Sequence, residues 1–368
     1  MRRIISITMT VATLFTTFNT FSAEKLRLIG DQNFATGEKF KETEIGGLSG
    51  LAYDSKKNRI LAISDDRSAT NDARFYEFEF KLNEKSFSVS PVDVITIKNK
   101  EGKAFPKGSI DPEDIAIYNE SLLIPSEGWI NKEPPINPEI FEFTRDGNFK
   151  SNLEIPSKFN PLAGKEGKAG IRDNLGFEAM TVSKDGRSVW VGVEEALFQD
   201  DRVSGPRYAS VLRLIQFKDL KPSKEVAYQL DKIPGISVAG LTVGETGLSS
   251  MIAIDDSIFY SIERSYMPLV RKNVIRLYKF TITDKTTDIS KMDSIKDGKN
   301  IVTVEKELIA NLEDFTSTMG DKFQSVDNIE GMCLGPKLAN GHNTLLMVSD
   351  NNFKKKQRTQ FLAFEIVP

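Results

Sequence analysis

The sequence predicts an all-β fold, a β-propeller of about five four-stranded blades. The first observation is a pattern repeated five times: an acidic residue or Ser opens one short apolar strand, and an acidic residue closes the next. The second observation is the period, because the opening positions are Ser49, Glu113, Glu178, Ser249 and Glu330, spaced 64, 65, 71 and 81 residues apart. A period this long, with four strands per unit, favours large propeller blades over a helical solenoid.

The third observation concerns the two ends of the chain. The fifth repeat contains only three strands, and a spare strand is predicted at Lys25–Gly30. Pairing of this strand with the last repeat would close the ring and remove the open sheet edges. A sixth blade is the alternative, if residues 284–300 and 311–326 contain further strands.

The clearest copy of the pattern comprises the runs 176–182 and 189–195, joined through Lys184-Asp185-Gly186. Alternation of apolar and polar residues, strict at residues 74–80, indicates strands with one buried face. The other copies span residues 47–66, 111–128, 247–264 and 327–351, and the fourth strands of the first four repeats are predicted at 91–97, 153–156, 226–230 and 302–309.

The composition is that of a globular protein with a sizeable core, since 39% of its 368 residues are apolar and 27% are charged. The net charge is -3, from 49 basic and 52 acidic residues. This balance argues against nucleic acid as a partner, because nucleic-acid binders carry a basic face. The single cysteine, Cys333, lies in an apolar run and is expected to be a small buried hydrophobic residue.

Residues 1–23 resemble a secretory signal peptide. Arg2 and Arg3 precede an apolar, Thr-rich run, and Ser22-Ala23 offers small residues for cleavage. An uncleaved N-terminal anchor is the alternative, although the run is short for a membrane span. We therefore expect a periplasmic or secreted protein, with residues 24–368 forming a single propeller domain.

Antiparallel pairing would bring many carboxylates to one mouth of the propeller. The first strand of a blade lines the central channel, so its start and the end of the second strand meet at the same mouth. The first strands contribute Glu113, Glu178 and Glu330, with Ser49 and Ser249 in the other two blades, and the second strands contribute Asp65, Glu127, Glu194, Glu263 and Asp350. Neighbours that could add to them are Asp66, Asp111, Asp114, Glu195 and Asp327.

Carboxylates crowded in this way raise one another's pKa or require cations. Ligands that are all oxygen suit Ca²⁺ or Mg²⁺ rather than zinc. Three arginines near the predicted mouth, Arg67, Arg172 and Arg264, could instead neutralise the carboxylates or bind a phosphate. A mouth that holds both carboxylates and arginines could use a metal to bridge a phosphate ester and position a water molecule.

A structural alternative exists for each carboxylate, because acidic residues at strand ends can accept hydrogen bonds from backbone amides of the adjacent blade. The repetition favours that alternative. The uneven use of Ser and Glu favours a site on one side of the mouth, at Glu113, Glu127, Glu178 and Glu194 of blades two and three.

Two further features are located relative to this mouth. The only histidine, His342, lies in a turn that joins the first two strands of its blade, so it is expected at the opposite mouth, away from any triad with the acids. The basic loop 354–358 follows Asp350 and is expected at the acidic mouth, as a solvated turn or as an anion-binding element.

The residues also resemble a known family, the phytase-like propellers described by the phrase "esterase-like activity of phytase". The resemblance extends over essentially the whole chain after the signal segment. The matching stretches are Gly46–Leu51, Asp111–Ile115, Ser126–Gly128, Arg172–Ala179, Gly247–Met251 and Asp327–Met332. The resemblance implies an exported bacterial propeller and, by the family's name, phosphoester hydrolysis.

Two hypotheses follow from the residues and the resemblance. In the first, the protein is a Ca²⁺-dependent phosphoester hydrolase in which a metal-activated water attacks a small phosphorylated ligand. Glu178 and Glu113 are then expected to be catalytic, Arg172, Arg264 and Arg67 to bind substrate, and Glu127, Glu194, Glu330, Asp65, Glu263 and Asp350 to bind metal. In the second, the same mouth binds a peptide, glycan or envelope partner without catalysis.

Overall fold

The computed structural model describes residues 24–161, 169–235, 243–296, 298–320 and 325–368. The predicted signal segment 1–23 and the predicted loop at Gly164–Lys168 lie outside the described residues. Within the described residues, no helix has the length and apolar character that crossing a bilayer requires.

The first three blades are antiparallel four-stranded sheets built from consecutive strands. A short hairpin, β2 (Lys39–Phe40) with β3 (Thr43–Glu44), precedes them. The strands of the three blades are β4 (Leu48–Asp54), β5 (Arg59–Ser64), β6 (Arg74–Asn83) and β7 (Ser86–Thr96), then β8 (Ala116–Tyr118), β9 (Ser121–Ser126), β10 (Glu139–Thr144) and β11 (Phe149–Asn152), then β12 (Phe177–Val182), β13 (Ser188–Val193), β14 (Val211–Lys218) and β15 (Lys221–Gln229).

The last two blades differ in how they are completed. Blade four is again consecutive, whereas blade five combines three C-terminal strands with the N-terminal strand β1 (Lys25–Ala35). Their other strands are β16 (Glu245–Ala253), β17 (Ile258–Met267), β18 (Lys272–Thr281) and β19 (Glu305–Asn311), then β20 (Ile329–Leu334), β21 (Asn343–Ser349) and β22 (Arg358–Val367).

The predicted closure of the ring is confirmed. Strand β1 pairs antiparallel with β22, from Lys25 opposite Val367 to Ala35 opposite Arg358, and is longer than the predicted strand. Because β1 covers the outer edge of β22, the first and last strands of the described chain complete one sheet. The propeller class and the count of five blades are therefore both correct.

Two details differ from the prediction. The fourth strand of blade two is Phe149–Asn152 rather than residues 153–156, because the turn at Gly147 brings Phe149 directly opposite Phe143. The described residues of 284–300 and 311–326 contain no strand, and the second stretch includes the 3₁₀ helix Leu312–Thr318. A further 3₁₀ helix spans Ser157–Phe159.

The core lies between the faces of adjacent blades. Trp190 of blade three meets Phe259 of blade four edge to face, with ring centroids 5.7 Å apart, and Phe259 stacks on Phe280 at 4.9 Å. Aromatic pairs of this kind add to the energy of apolar burial. Cys333 is buried in an apolar cluster, as expected, and its burial raises the pKa of the thiol.

A buried ion cluster fastens the strandless segment 284–300 to blade three. Arg213 is fully buried, and its Nε and Nη1 atoms lie 2.6 Å from carboxylate oxygens of Asp200 and Glu225. Asp200 also accepts a hydrogen bond from the backbone N–H of Ile295, and the carbonyl of Ile289 accepts one from Arg213. Lys158 lies 3.3 Å from the other side of Glu225, so two buried cations offset the two carboxylates and hold the segment in place.

Replacing Arg213 by Ala should destabilise the protein by about 3–5 kcal/mol, because Asp200 and Glu225 lose the buried guanidinium that pairs with both of them. Denaturant unfolding followed by circular dichroism measures this loss. The control is Arg59→Ala, which breaks the exposed pair with Glu79 and should cost less than about 1 kcal/mol. Equal losses in the two variants would contradict the structural role assigned to the cluster.

Candidate functional site

In four of the five blades a β-bulge in the first strand sets the direction of one side chain. The pairing register shifts at Ser49, Glu178, Ser249 and Glu330, each of which is left without a directly opposed partner. Glu113 precedes its strand, and its backbone N–H donates to the carbonyl of Pro125. Bulges re-aim a side chain without ending the sheet, so these five residues form an inner ring.

A second ring is set by one backbone hydrogen bond in each of four blades. The residue after the second strand donates its N–H to the carbonyl of the residue that starts or precedes the first strand. These bonds run from Asp65 to Gly47 (2.7 Å), Glu127 to Asp111 (3.0 Å), Glu194 to Gly176 (2.7 Å) and Asp350 to Asn328 (2.9 Å).

Blade four breaks the pattern of the second ring. Gly247, which corresponds to Gly47 and Gly176, pairs with Arg264, whereas Glu263 pairs with Leu248. Arg264 therefore takes the place that a carboxylate takes in the other four blades. The sequence-based assignment was one residue out of register in this blade.

The structure consequently does not bring Glu263 to the acidic mouth. A shift of one residue along a strand moves a side chain to the opposite face of the sheet. Glu263 accepts hydrogen bonds from the Tyr228 hydroxyl and the Asp231 backbone N–H, both at 2.8 Å, and forms an ion pair with Lys306. Glu263 is therefore not among the residues that could bind a metal at the mouth, contrary to the prediction.

Arg172 also lies away from the mouth. Its guanidinium donates to the carbonyls of Ala196 (2.9 Å) and Asp201 (2.6 Å), and it stacks over the Phe198 ring. These contacts anchor the loop that follows β13, so the side chain is not directed at the channel. The expectation that Arg172 binds substrate is corrected accordingly.

The remaining predicted residues line one cavity of about 1260 Å³ at this mouth. Its floor is acidic and one side of its rim is basic. The floor and walls include Asp65, Arg67, Glu113, Glu127, Glu178, Glu194, Arg264, Glu330 and Asp350, and the rim includes Arg271, Lys272, Lys354, Lys355 and Lys356. The basic loop 354–358 therefore lies at the acidic mouth, as predicted.

Within the cavity, carboxylates approach each other most closely in blades two and three. Oxygens of Glu127, Glu178 and Glu194 lie within 4.8 Å of one another, and so do oxygens of Asp111, Glu113 and Glu127. All five residues are buried, and Glu127 belongs to both groups. The predicted asymmetry of the mouth matches this geometry, and Asp111 joins the set.

Burial and mutual repulsion raise the pKa of these carboxyls. Burial raises the pKa of Glu178 well above its usual range, and the charges of Glu194, Glu127 and Glu330 raise it further. Burial likewise raises the pKa of Glu113, with added repulsion from Glu178, Asp111, Glu127 and Asp65. Groups perturbed in this way inside a cleft are a frequent feature of functional sites.

The pKa values of two carboxyls are raised into the neutral range. Burial raises the pKa of Glu194 to about 7 against the lowering effect of Arg264. Burial and the charge of Glu330 raise the pKa of Asp350 to about 8. The floor can therefore hold protons at neutral pH, and a bound cation would displace them.

Two arginines already neutralise part of the floor. The Nη2 atom of Arg264 lies 3.1 Å from Glu194 Oε1, and its Nε atom lies 3.1 Å from Glu330 Oε1. Arg67 pairs with Asp111 at 2.6 Å, and its guanidinium lies over the Trp129 ring. Arg264 thus offsets the charges of Glu194 and Glu330, and Arg67 offsets the charge of Asp111 in blade two.

The structural alternative holds for Asp114, and Asp66 and Glu195 accept backbone N–H groups of their own blades. Asp114 accepts a hydrogen bond from the backbone N–H of Met180 in the next blade (2.8 Å). Asp66 accepts three backbone N–H groups and pairs with Arg74, and Glu195 accepts the backbone N–H of Ser204. Glu127 has a structural contact and also belongs to the candidate site. Its Oε1 accepts a hydrogen bond from the Gly176 backbone N–H of the next blade (2.9 Å), and it is shared by the two close carboxylate groups.

Sequence patterns did not identify Asn328, Arg271 or Lys272 as residues of the mouth, and they predicted Arg264 as a substrate ligand rather than as a member of the second ring. The Asn328 side-chain amide donates to Glu330 (3.0 Å) and Asp350 (3.3 Å), which holds those carboxylates together. Alignment of Gly247 with Gly47 would have identified Arg264 as a ring residue. Arg271 and Lys272 carry no such signal, because they lie at the tip of a hairpin whose length is specific to this blade.

His342 lies away from the cavity and contacts Glu365 at 2.7 Å, in keeping with its expected place away from the acids of the mouth.

Comparison with known proteins gives a family and two distant similarities. The chain is 24% identical over 132 residues to an uncharacterized secreted protein of Arthroderma benhamiae, over 30% of this chain and 24% of that protein. The match therefore spans about a quarter of that relative's length. Among solved structures, an endo-arabinase from Bacteroides thetaiotaomicron is similar with a TM-score of 0.44 and 11% identity, over 88% of this chain and 95% of that one.

The family model described as "Esterase-like activity of phytase" matches residues 43–353, from the hairpin before the first blade to the basic loop of the last. That span contains the inner-ring residue and the second-ring position of each of the five blades. The chain belongs to this phytase-like family.

Proposed function

We propose that this protein is an exported, metal-dependent phosphoester hydrolase whose reaction takes place in the acidic cavity. The observation that carries the proposal is the pair of carboxylate groups that share Glu127. The basic rim above them supplies charge of the sign that a phosphate requires. The family's description, which names phytase and esterase-like activity, supports the same class of reaction.

The residues present fit a hard divalent cation such as Ca²⁺. All of the candidate ligands are oxygens, and Asp111 Oδ2 is buried without a hydrogen-bond partner among the described residues. Glu127, Glu178 and Glu194 would hold one such ion, with Asp111 and Glu113 beside them. When bound, the cation polarises a phosphoryl oxygen and lowers the pKa of a coordinated water.

The chain's own residues have separable roles in this proposal. Glu178 and Glu113, whose pKa values are raised, accept and hold the proton that the attacking water loses. Arg67, whose Nη2 also reaches the Asn174 side chain, orients the phosphate together with the rim lysines. Arg264 is engaged by Glu194 and Glu330 and offsets their charge.

A second candidate function is binding without catalysis. The observation that favours it is the extent to which Arg67 and Arg264 already neutralise the floor. In that case the basic rim at Lys354–Lys356 captures an anionic ligand, and the carboxylates below it are structural. A turnover assay separates the two functions.

Purified protein lacking residues 1–23 should hydrolyse phytate or a simple phosphate ester when Ca²⁺ is present, and a chelator should abolish the activity. Glu178→Gln should lower kcat/KM by at least about 100-fold, because the amide neither ligates the cation well nor accepts a proton. The measurement is phosphate release with initial rates at several substrate concentrations.

The matched control is Glu139→Gln, which changes a half-buried glutamate of blade two that does not line the cavity. It should leave kcat/KM within about twofold of wild type. Turnover that survives both the chelator and Glu178→Gln would rule out the metal-dependent mechanism. Absence of turnover on every ester would support the binding function.

Stability without a cation should fall as the pH rises from about 4 to about 8. The pKa values of Glu194 and Asp350 are higher in the folded protein than in the unfolded chain, so the folded state binds more protons in this window. The Tm in chelator should therefore be lower at about pH 8 than at about pH 5, and Ca²⁺ should raise it more at the higher pH.

The double variant Glu194→Gln, Asp350→Asn is the control for this pH dependence, because neither amide titrates. Its Tm in chelator should vary less with pH than that of wild type, as measured by differential scanning calorimetry. A wild-type Tm that rises over this window would contradict the assignment of raised pKa values.

A further inference from the structure

We propose that the guanidinium of Arg264 fills a cation position of the carboxylate ring, so that divalent cations bind only on the side of blades two and three. The inference rests on the proposed cation site, which it divides into a metal half and an arginine half. It assigns Arg264 as the positioning residue that sets how many cations the cavity holds.

The register of the blades supplies the first step of the argument. Four blades place a carboxylate opposite the residue that lies two positions before the inner-ring residue, and blade four places Arg264 at that position. The substitution replaces a negative charge by a positive charge at one fixed point of a ring. It therefore changes the local charge at that point by two units.

The contacts of Arg264 supply the second step. Its guanidinium lies between Glu194 of blade three and Glu330 of blade five, 3.1 Å from each. Asn328 joins Glu330 to Asp350, so a third carboxylate belongs to the same group. Without the guanidinium, these three buried carboxylates would have the density of negative charge that a divalent cation neutralises.

An unsatisfied hydroxyl lies at the inner-ring position of the same blade. Ser249 occupies the same bulge position in blade four as Glu178 and Glu330 do in theirs, so it belongs to the inner ring with them. Its side chain is 1% exposed, and its hydroxyl has no hydrogen-bond partner among the described residues. A buried hydroxyl without a hydrogen-bond partner offers a further oxygen ligand for a cation.

Arg264 could instead be a phosphate ligand, which predicts a different result. A phosphate ligand would leave the number of bound cations unchanged on replacement and would weaken substrate binding alone. If the Arg264 guanidinium instead occupies a cation position, its replacement would vacate a position that a divalent ion can take. The stoichiometry of Ca²⁺ therefore distinguishes the two roles without any measurement of activity.

The experiment compares wild type, Arg264→Gln and Arg264→Lys by titration calorimetry with CaCl₂, and by metal analysis after equilibrium dialysis. Arg264→Gln should bind one more Ca²⁺ per chain than wild type, and Arg264→Lys, which keeps the charge, should bind the same number as wild type. Arg145→Gln is the control, because it removes an arginine that pairs with Asp54 away from the cavity.

Folding of the variant is monitored in parallel. If Arg264→Gln is unstable in chelator, millimolar Ca²⁺ should raise its Tm more than that of wild type, because the new cation replaces the lost charge. A folded Arg264→Gln with unchanged stoichiometry would overturn the inference, and so would an unstable variant that Ca²⁺ does not rescue.

The outcome also separates this inference from the proposed function. If wild type binds no Ca²⁺ and Arg264→Gln binds one, Arg264 fills the position and the metal-dependent hydrolase fails. If wild type binds Ca²⁺ and Arg264→Gln binds no more, the cation site stands and the assignment of Arg264 fails. Absence of Ca²⁺ binding in both variants would remove both.

Discussion

Backbone pairing at the mouth of each blade determines which side chains face the cavity. A bulge in the first strand and one N–H bond after the second strand recur around the ring. Both devices depend on main-chain atoms, so they hold the same two positions whatever side chain occupies them. The side chains at these ten positions thus determine the chemistry of the mouth, and the backbone of the sheets determines its geometry.

This separation explains why so many carboxylates can be buried together. Each sheet is stabilised by its own ladder and by apolar packing against its neighbours, as at Trp190 and Phe259. The floor of the cavity can then carry unfavourable repulsion, which appears as the raised pKa values of Glu113 and Glu178. Strain and repulsion at a site, offset by a well-packed scaffold, are typical of functional centres.

The fold could be predicted from the sequence, because the alternation of apolar and polar residues, the spacing of the repeats and the extra N-terminal strand can all be read from the sequence alone. The sequence was also sufficient for the mouth, since Glu113, Glu127, Glu178 and Glu194 follow from antiparallel pairing alone. It failed in blade four, because Glu263 and Arg264 are adjacent and either could have been the residue at the mouth. The repeated acidic pattern favoured Glu263, whereas the strand register places Arg264 there. It failed at Arg172 because loop side chains are placed by tertiary contacts, here the carbonyls of Ala196 and Asp201.

The closure of the ring by β1 has a consequence for how the cavity is assembled. Blades two and three are contiguous in the chain, so the carboxylates around Glu127 can come together from sequence-local pairing. Blade five, which carries Glu330, Asp350 and the basic loop, needs both ends of the chain, from Lys25 to Val367. Closing a contact of such long sequence separation costs more chain entropy than pairing neighbouring strands. The carboxylates around Glu127 therefore depend on local pairing, whereas Glu330, Asp350 and the basic loop depend on the closure of the whole ring.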